Sequence, residues 1–489
     1  LVTAEVAQGV LDNLINMSGT IRADSAVQEG GSILLLARGG NVDVSGSLSA
    51  QGTTGGQIDV LGDQVHLFST AMLDVNGIYG GGALHVGGDY QGSGNAYRAQ
   101  STHIDNGAML LSSAQTRGNG GEVVVWSDGE TFYGSSIFAR GGAEAGDGGL
   151  VEVSSKQTLF FNGLVDAGAD HGKSGSLLLD PFNFTIGMAE AGLINRVLRT
   201  GTSTSVSADN DLYVNYTIDG RGRYAGGGLT LTAGNNLNVN DNILTNNGAI
   251  GLLAEAGLVT VASGKVIYAG TSPITVRSGG TLTNAFYLTD DSLSLISTRG
   301  SININRGIDG SIGNLLIEAE EDVNINYPII SLNDGDTVNI SAGNDINVDA
   351  QIDGRPTASS DPNGSVIMNA GQDINLNKSI LANEIDLTAS LGTIAAPTMT
   401  AGTVTIQPNG IPLGEGLFAG TGSIAVAAGN DLSNGIYVTT GPVSIRSTGG
   451  DVTVDTKLAE ILGNVTIVSD TGSVTIDQEI ANIRSGSNL

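Results

Sequence analysis

One short motif, returning along the second part of the chain, constrains the fold more than any other feature. Its form is small-Gly-Asn-Asp-apolar-Asn-apolar: ADNDLYVN at 208–215, AGNNLNVN at 233–240, EEDVNIN at 320–326, AGNDINVD at 342–349 and AGQDINLN at 370–377. Looser copies are RGSININ at 299–305, GGDVTVD at 449–455 and TGSVTID at 471–477. The first apolar positions are Leu212, Leu237, Val323, Ile346 and Ile374, and Leu258, Leu282 and Ile302 fill the interval between Leu237 and Val323. A period of about 20–28 residues built from strands of three to five residues marks stacked supersecondary units. One turn of a parallel β-helix has that length. Leucine-rich repeats would need a Leu-x-x-Leu-x-Leu pattern that the chain lacks, and a propeller blade takes about 40 residues. The expected fold is therefore all-β: a right-handed parallel β-helix, or β-solenoid, with two short accessory helices.

In such a fold Ile346 and Val348, or Ile374 and Leu376, point inward and stack on their equivalents in the next turn. Asn347 and Asn375 point outward and can form ladders. Gly and Asn belong at the corners because they tolerate positive φ.

The first part of the chain carries a different repeat. Gly-Gly pairs precede short alternating strands at Gly30-Gly31, Gly55-Gly56, Gly81-Gly82, Gly120-Gly121 and Gly148-Gly149. Three of the intervals are close to 26 residues and the one from Gly82 to Gly121 is longer, so an insertion is expected around Gly92 to Arg98. Two stretches break the strand rhythm. Thr3 to Asn16 has Val6, Val10, Leu11, Leu14 and Ile15 at helical spacing with Thr3 as N-cap, and Met188 to Leu198 places Ala191, Ile194, Val197 and Leu198 on one helical face. Asp180-Pro181 marks a corner just upstream. The expected organisation is a first β-helix section over 1–186, a helical insertion at 187–200 and a second β-helix section over 201–489.

Composition agrees with strands and turns. Glycine is 74 of 489 residues, about twice the usual share, while charged residues are only 14%. The 40% hydrophobic content is too high for a disordered chain. The net charge of −29 disfavours nucleic acid and anionic lipid as partners and favours solubility. With no cysteine, a disulfide scaffold is excluded. No apolar run reaches the ~18–20 residues of a membrane-spanning helix, so no membrane insertion is expected. The chain opens Leu1-Val2-Thr3 without an initiator Met, which reads as a piece of a longer precursor.

Few residues are of types that carry chemistry. Asp322, Asp345 and Asp373 share one repeat position; the expected role of each is capping its own corner through backbone N–H groups, with Ca2+ binding and, more remotely, catalysis as the alternatives. GDGGLVEVS at 146–154 faintly resembles a calcium-binding nonapeptide but does not recur in tandem. His66, His85, His103 and His171 lie scattered without zinc-ligand spacing. Trp126 either stacks on a sugar or, as the commoner fate, packs at a corner. Neither G-x-S-x-G nor a Walker A pattern occurs, and the expectation is a non-enzyme with no catalytic, cofactor or metal residues.

Four segments carry a resemblance: NMSGTIRADSAVQEGGSILLLARGG at 16–40, GGEVVVWSDGETFYGSSIFARGG at 120–142, VEVSSKQTLFFNGLVDAG at 151–168 and SGSLLLDPFNFTIG at 174–187. They resemble the filamentous-haemagglutinin-like exoproteins of Gram-negative bacteria, with their haemagglutination-activity domains. The resemblance is closest over 1–200 and continues more loosely through the AGNDINVD-type repeats. It implies two-partner secretion through an outer-membrane transporter barrel, an extracellular or cell-surface location, and a part in adhesion, aggregation or biofilm. The family's secretion domain carries Asn-Pro-Asn-Gly-Ile; QPNGI at 407–411 matches it in part but reads as an ordinary Pro-Asn-Gly turn, and the chain is expected to lie downstream of that domain. The expected partners are host or neighbouring-cell glycans or proteins. A head-to-tail filament subunit is the alternative function, and a polysaccharide-acting enzyme the remote one.

Overall fold

The computed structural model describes residues 2–5, 13–24, 31–222, 226–308, 313–330, 336–353, 364–395, 405–406, 412–413, 417–419, 422–458, 461 and 463–480. The chain is a parallel β-solenoid whose contacts divide it into two units, Leu1–Glu255 and Ala256–Leu489.

In the first unit, successive turns pair in parallel and in the register set by the Gly-Gly repeat. Ser32 pairs with Gln57, Gln57 with Ala83, Ala83 with Glu122, and Glu122 with Leu150. Each of these residues follows one of the glycine pairs, so the sequence intervals are the turn lengths. The inward column Ile33–Ile58–Leu84–Val123–Val151–Leu177 runs through six turns and is at most 4% exposed throughout. Full burial of one such side chain contributes about 1.5–3 kcal/mol, so a column of this kind anchors the winding.

The glycine pairs have a steric cause. A Cβ at Gly82 would lie 2.1 Å from the Gly56 carbonyl oxygen, one at Gly121 2.0 Å from that of Gly82, and one at Gly149 2.2 Å from that of Gly121. Successive corners sit backbone on backbone, and any side chain would force them apart. The long turn between Ala83 and Glu122 holds an insertion after strand Ala83–Val86, including a 3-10 turn at Tyr90–Gly92.

Helix α1 (Met188–Arg199) buries Ala191, Leu193, Ile194, Val197 and Leu198. Glu190 accepts the Gly187 N–H at its start (3.1 Å), and the Thr200 hydroxyl donates to the Val197 carbonyl at its end (2.7 Å). The other expected helix, Thr3 to Asn16, is not formed where the chain is described: Val2–Glu5 and Asn13–Met17 are strands. Ile15 pairs with Val42 and Met17 with Val44, and both are buried. Pairing with the next turn overrides a helical spacing that a short apolar stretch can satisfy either way.

The second unit shows three short strands per turn, as in Thr337–Ala342, Ile346–Val348 and Ile352–Asp353. The motif's first apolar residues form a column, Leu282–Ile302–Val323–Ile346–Ile374–Ile394, at most 2% exposed. One expected member is displaced by a residue: Val259, in strand Val259–Val261, is buried, whereas Leu258 is 40% exposed. The segment QPNGI lies outside the described residues.

Candidate functional site

The repeat aspartates of the second unit form a chain of inter-turn hydrogen bonds. Asp322 Oδ1 accepts the Asp345 N–H (3.2 Å), Asp345 Oδ1 the Asp373 N–H (2.9 Å), and Asp373 Oδ1 the Thr393 N–H (2.6 Å). They do bond backbone N–H groups, but of the next turn rather than of their own corner. Beside them the amides of Asn303, Asn324, Asn347 and Asn375 bond one to the next, each Nδ2 donating to the preceding Oδ1 at 2.9 Å. Asp147, in the nonapeptide-like segment, is used in the same way, its Oδ1 accepting the Lys173 N–H (2.7 Å).

Trp126 is only 6% exposed. The insertion lies flat on its indole: a Cβ at Gly92, whose φ is +58°, would fall 2.4 Å from the ring. Trp126 Nε1 donates to Asp128 Oδ1 (3.2 Å), and Arg98 ties the insertion down through Asp128 (3.1 Å) and the Gly92 carbonyl (2.9 Å). This tryptophan packs; it offers no face to a sugar.

Under the same insertion sits a group that sequence reasoning missed. Glu152 is fully buried on the outer side of its strand and accepts the Gln91 N–H through Oε2 (2.8 Å). Oε1 makes no well-formed hydrogen bond among the described residues. Burial pushes the carboxyl up to about 7, against the opposing Gln91 and Ser154 contacts and with help from the charges of Asp180 and Glu122. Asp180 is likewise raised, first by burial and then by Asp209. Burial pushes His85 down, but its hydrogen bond to Asp59 (2.9 Å) and the charges of Asp59, Glu122 and Asp89 outweigh that and raise it. Such shifts suit a general acid, yet the insertion covers Glu152 completely, so no substrate reaches it in this conformation.

One outward column of the first unit is aromatic. His66 pairs in register with His103, His103 with Phe132, and Phe132 with Phe160. The Phe132 and Phe160 rings stack at 4.4 Å and 8°. Beyond Phe160 lies an open cleft of about 880 Å3 where Phe160 and Phe182 are each 48% exposed, rimmed by Lys156, Gln157, Asn183 and Glu190. Its polar rim and exposed aromatic pair make this a candidate ligand surface. The register that assembles it was legible in the Gly-Gly spacing, but the alignment of ring on ring was not, because the rings lie 28 to 37 residues apart in the sequence. Of the four histidines, His66 and His103 are brought together here, His85 is held apart by Asp59, and His171 stands exposed.

Among the described residues, no helix is long and apolar enough to cross a membrane. No model of a known protein family matches the sequence, and a search of curated proteins finds no significant match.

Proposed function

We propose that the chain is an adhesive β-solenoid of a bacterial surface exoprotein, exported by a two-partner route, and that the Phe160–Phe182 cleft is a contact point for glycans on an opposing cell. The observation that carries the adhesive reading is the pair of half-exposed aromatic rings in a polar-rimmed cleft. Ring faces suit the C–H faces of sugars, and amide and charged rim groups suit their hydroxyls. The solenoid supplies a rigid frame in which columns of side chains are repeated turn by turn, and the acidic surface keeps a densely displayed chain soluble. The proposed role is binding without turnover.

A glycan array probed with the labelled chain tests this reading. Binding to a defined set of glycans is expected, weakened about tenfold or more by Phe160→Ala or Phe182→Ala, with no sugar released. Binding unchanged in both variants would remove the cleft from the account, and release of unsaturated or reducing sugar would replace it with an enzyme.

A second reading, subunit of a head-to-tail filament, has its own observation. Val474 and Ile476 pair with the fully buried Val452 and Val454 yet are 43% and 49% exposed. An apolar strand of this kind offers a pairing edge to a second copy of the chain. Negative-stain microscopy separates the two: long uniform fibres favour the filament, and dispersed particles the adhesin.

A further inference from the structure

We propose that His66, His103 and Asp105 bind a transition-metal dication of the zinc class. The two imidazoles come from consecutive turns. His66 and His103 are register partners on one outward column, with ring centroids 4.8 Å apart. Asp105 follows His103 by two residues and turns back toward both. Its Oδ1 lies 3.1 Å from His66 Nε2 and 3.1 Å from His103 Nε2, and the three ligand atoms all fall within 4.8 Å of one another.

These separations are those of a metal site. Zinc bonds of about 2.0–2.1 Å to nitrogen and oxygen in a tetrahedron put neighbouring ligand atoms roughly 3.3 Å apart. Two of the three edges already have nearly that length, His66 and Asp105 being hydrogen-bonded across theirs, and the third is at most 4.8 Å. Neighbouring rings hold the imidazoles in place: Phe68 lies against His66 at 3.9 Å, and Phe132 stacks on His103 at 5.3 Å and 21°. Asp43 pairs with His66 in the preceding turn and adds negative charge to the column.

Ligand chemistry sets the class of ion. Two imidazole nitrogens and one carboxylate oxygen select zinc, copper or nickel over calcium, which takes six to eight oxygens. The side chains of His66, His103 and Asp105 are 31%, 52% and 30% exposed, so a bound ion would keep a position open to solvent. That position can take water or a donor atom from another molecule. An in-register solenoid makes such a site from a short sequence change, because adjacent turns place outward register partners side by side.

The test is a calorimetric titration of the full chain with Zn2+ alone, after treatment with chelator. It is run in parallel on His66→Ala, His103→Ala, Asp105→Asn and the His66→Ala/His103→Ala double variant. Circular dichroism confirms that each retains its sheet. The expected result is one Zn2+ per chain beyond whatever the double variant binds, weakened about tenfold or more by each single change. Cu2+ used as a spin probe should show coupling to two nitrogens in the wild type and to none in the double variant. Equal Zn2+ binding by wild type and double variant would assign the ion to the diffuse acidic surface and overturn the proposal. So would the absence of Zn2+ binding at millimolar concentration.

Discussion

Asp345 accepts, through Oδ1, the backbone N–H of Asp373, the residue at its own position one turn along, at 2.9 Å. Its own N–H is donated to Asp322 (3.2 Å). Asp345 is therefore a splint between turns, and the donor that its Oδ1 holds is a peptide group. Asp345→Ala leaves the Asp373 N–H without its acceptor at a part-buried corner, which should cost about 1–2 kcal/mol. Asp345→Asn keeps an oxygen there and should cost less, since Asn183 already accepts the Asp211 N–H in this way (3.1 Å). Hydrogen exchange should show the Asp373 amide opening faster in the alanine variant and nearly unchanged in the asparagine one.

At the corners of the first unit, Gly121→Ala should destabilise more than its chemistry suggests. The added methyl would meet the Gly82 carbonyl oxygen at 2.0 Å and the Ser112 hydroxyl at 2.2 Å; the hydroxyl can turn away, but the backbone oxygen cannot. Overpacking of this kind costs about 1–3 kcal/mol, read as a lower unfolding midpoint in urea. The same change at Gly192 in α1 meets nothing within 4 Å and should raise the midpoint slightly, as helix propensity predicts.

Glu152 ties stability to pH. Its carboxyl is raised from 4.5 to about 7 in the folded chain, so the fold favours the protonated form. Below about 4.5 the group is protonated folded and unfolded, and its contribution is complete; it is lost as pH rises through about 7. The full difference is on the order of 3 kcal/mol. Glu152→Gln should flatten this part of the stability profile and leave the variant more stable than wild type at pH 8. A variant that loses stability equally at pH 5 and pH 8 would contradict it.

How legible the fold was in the sequence depends on which contacts define each part. The turns of the first unit were legible because a glycine pair is required wherever two corners meet backbone on backbone. Helix α1 was legible because its apolar positions keep a helical period over three turns. The segment from Thr3 to Asn16 misled for the opposite reason: its apolar residues fit either period, and the partners that decide it, Val42 and Val44, lie a turn away. The His66–His103–Asp105 cluster left no local signal, because its spacing is the length of one turn enlarged by an insertion. Glu152 was hidden in the same way, since only the insertion folded over it makes it a buried acid.

All of these readings rest on parallel turns stacked in register, and the absence of native cysteine allows a direct test. Glu318 pairs with Ser341, while Asn339, on the same outward face, pairs with Leu316. Glu318→Cys with Ser341→Cys should form a disulfide under mild oxidation, because register partners on adjacent strands lie within the Cα separation of about 4.4–6.8 Å that the bond requires. Glu318→Cys with Asn339→Cys should not, being displaced by two residues along the strand to beyond about 7 Å. Ready cross-linking of the first pair alone is the predicted result; equal cross-linking of both, or preference for the second, would contradict the winding on which the account stands.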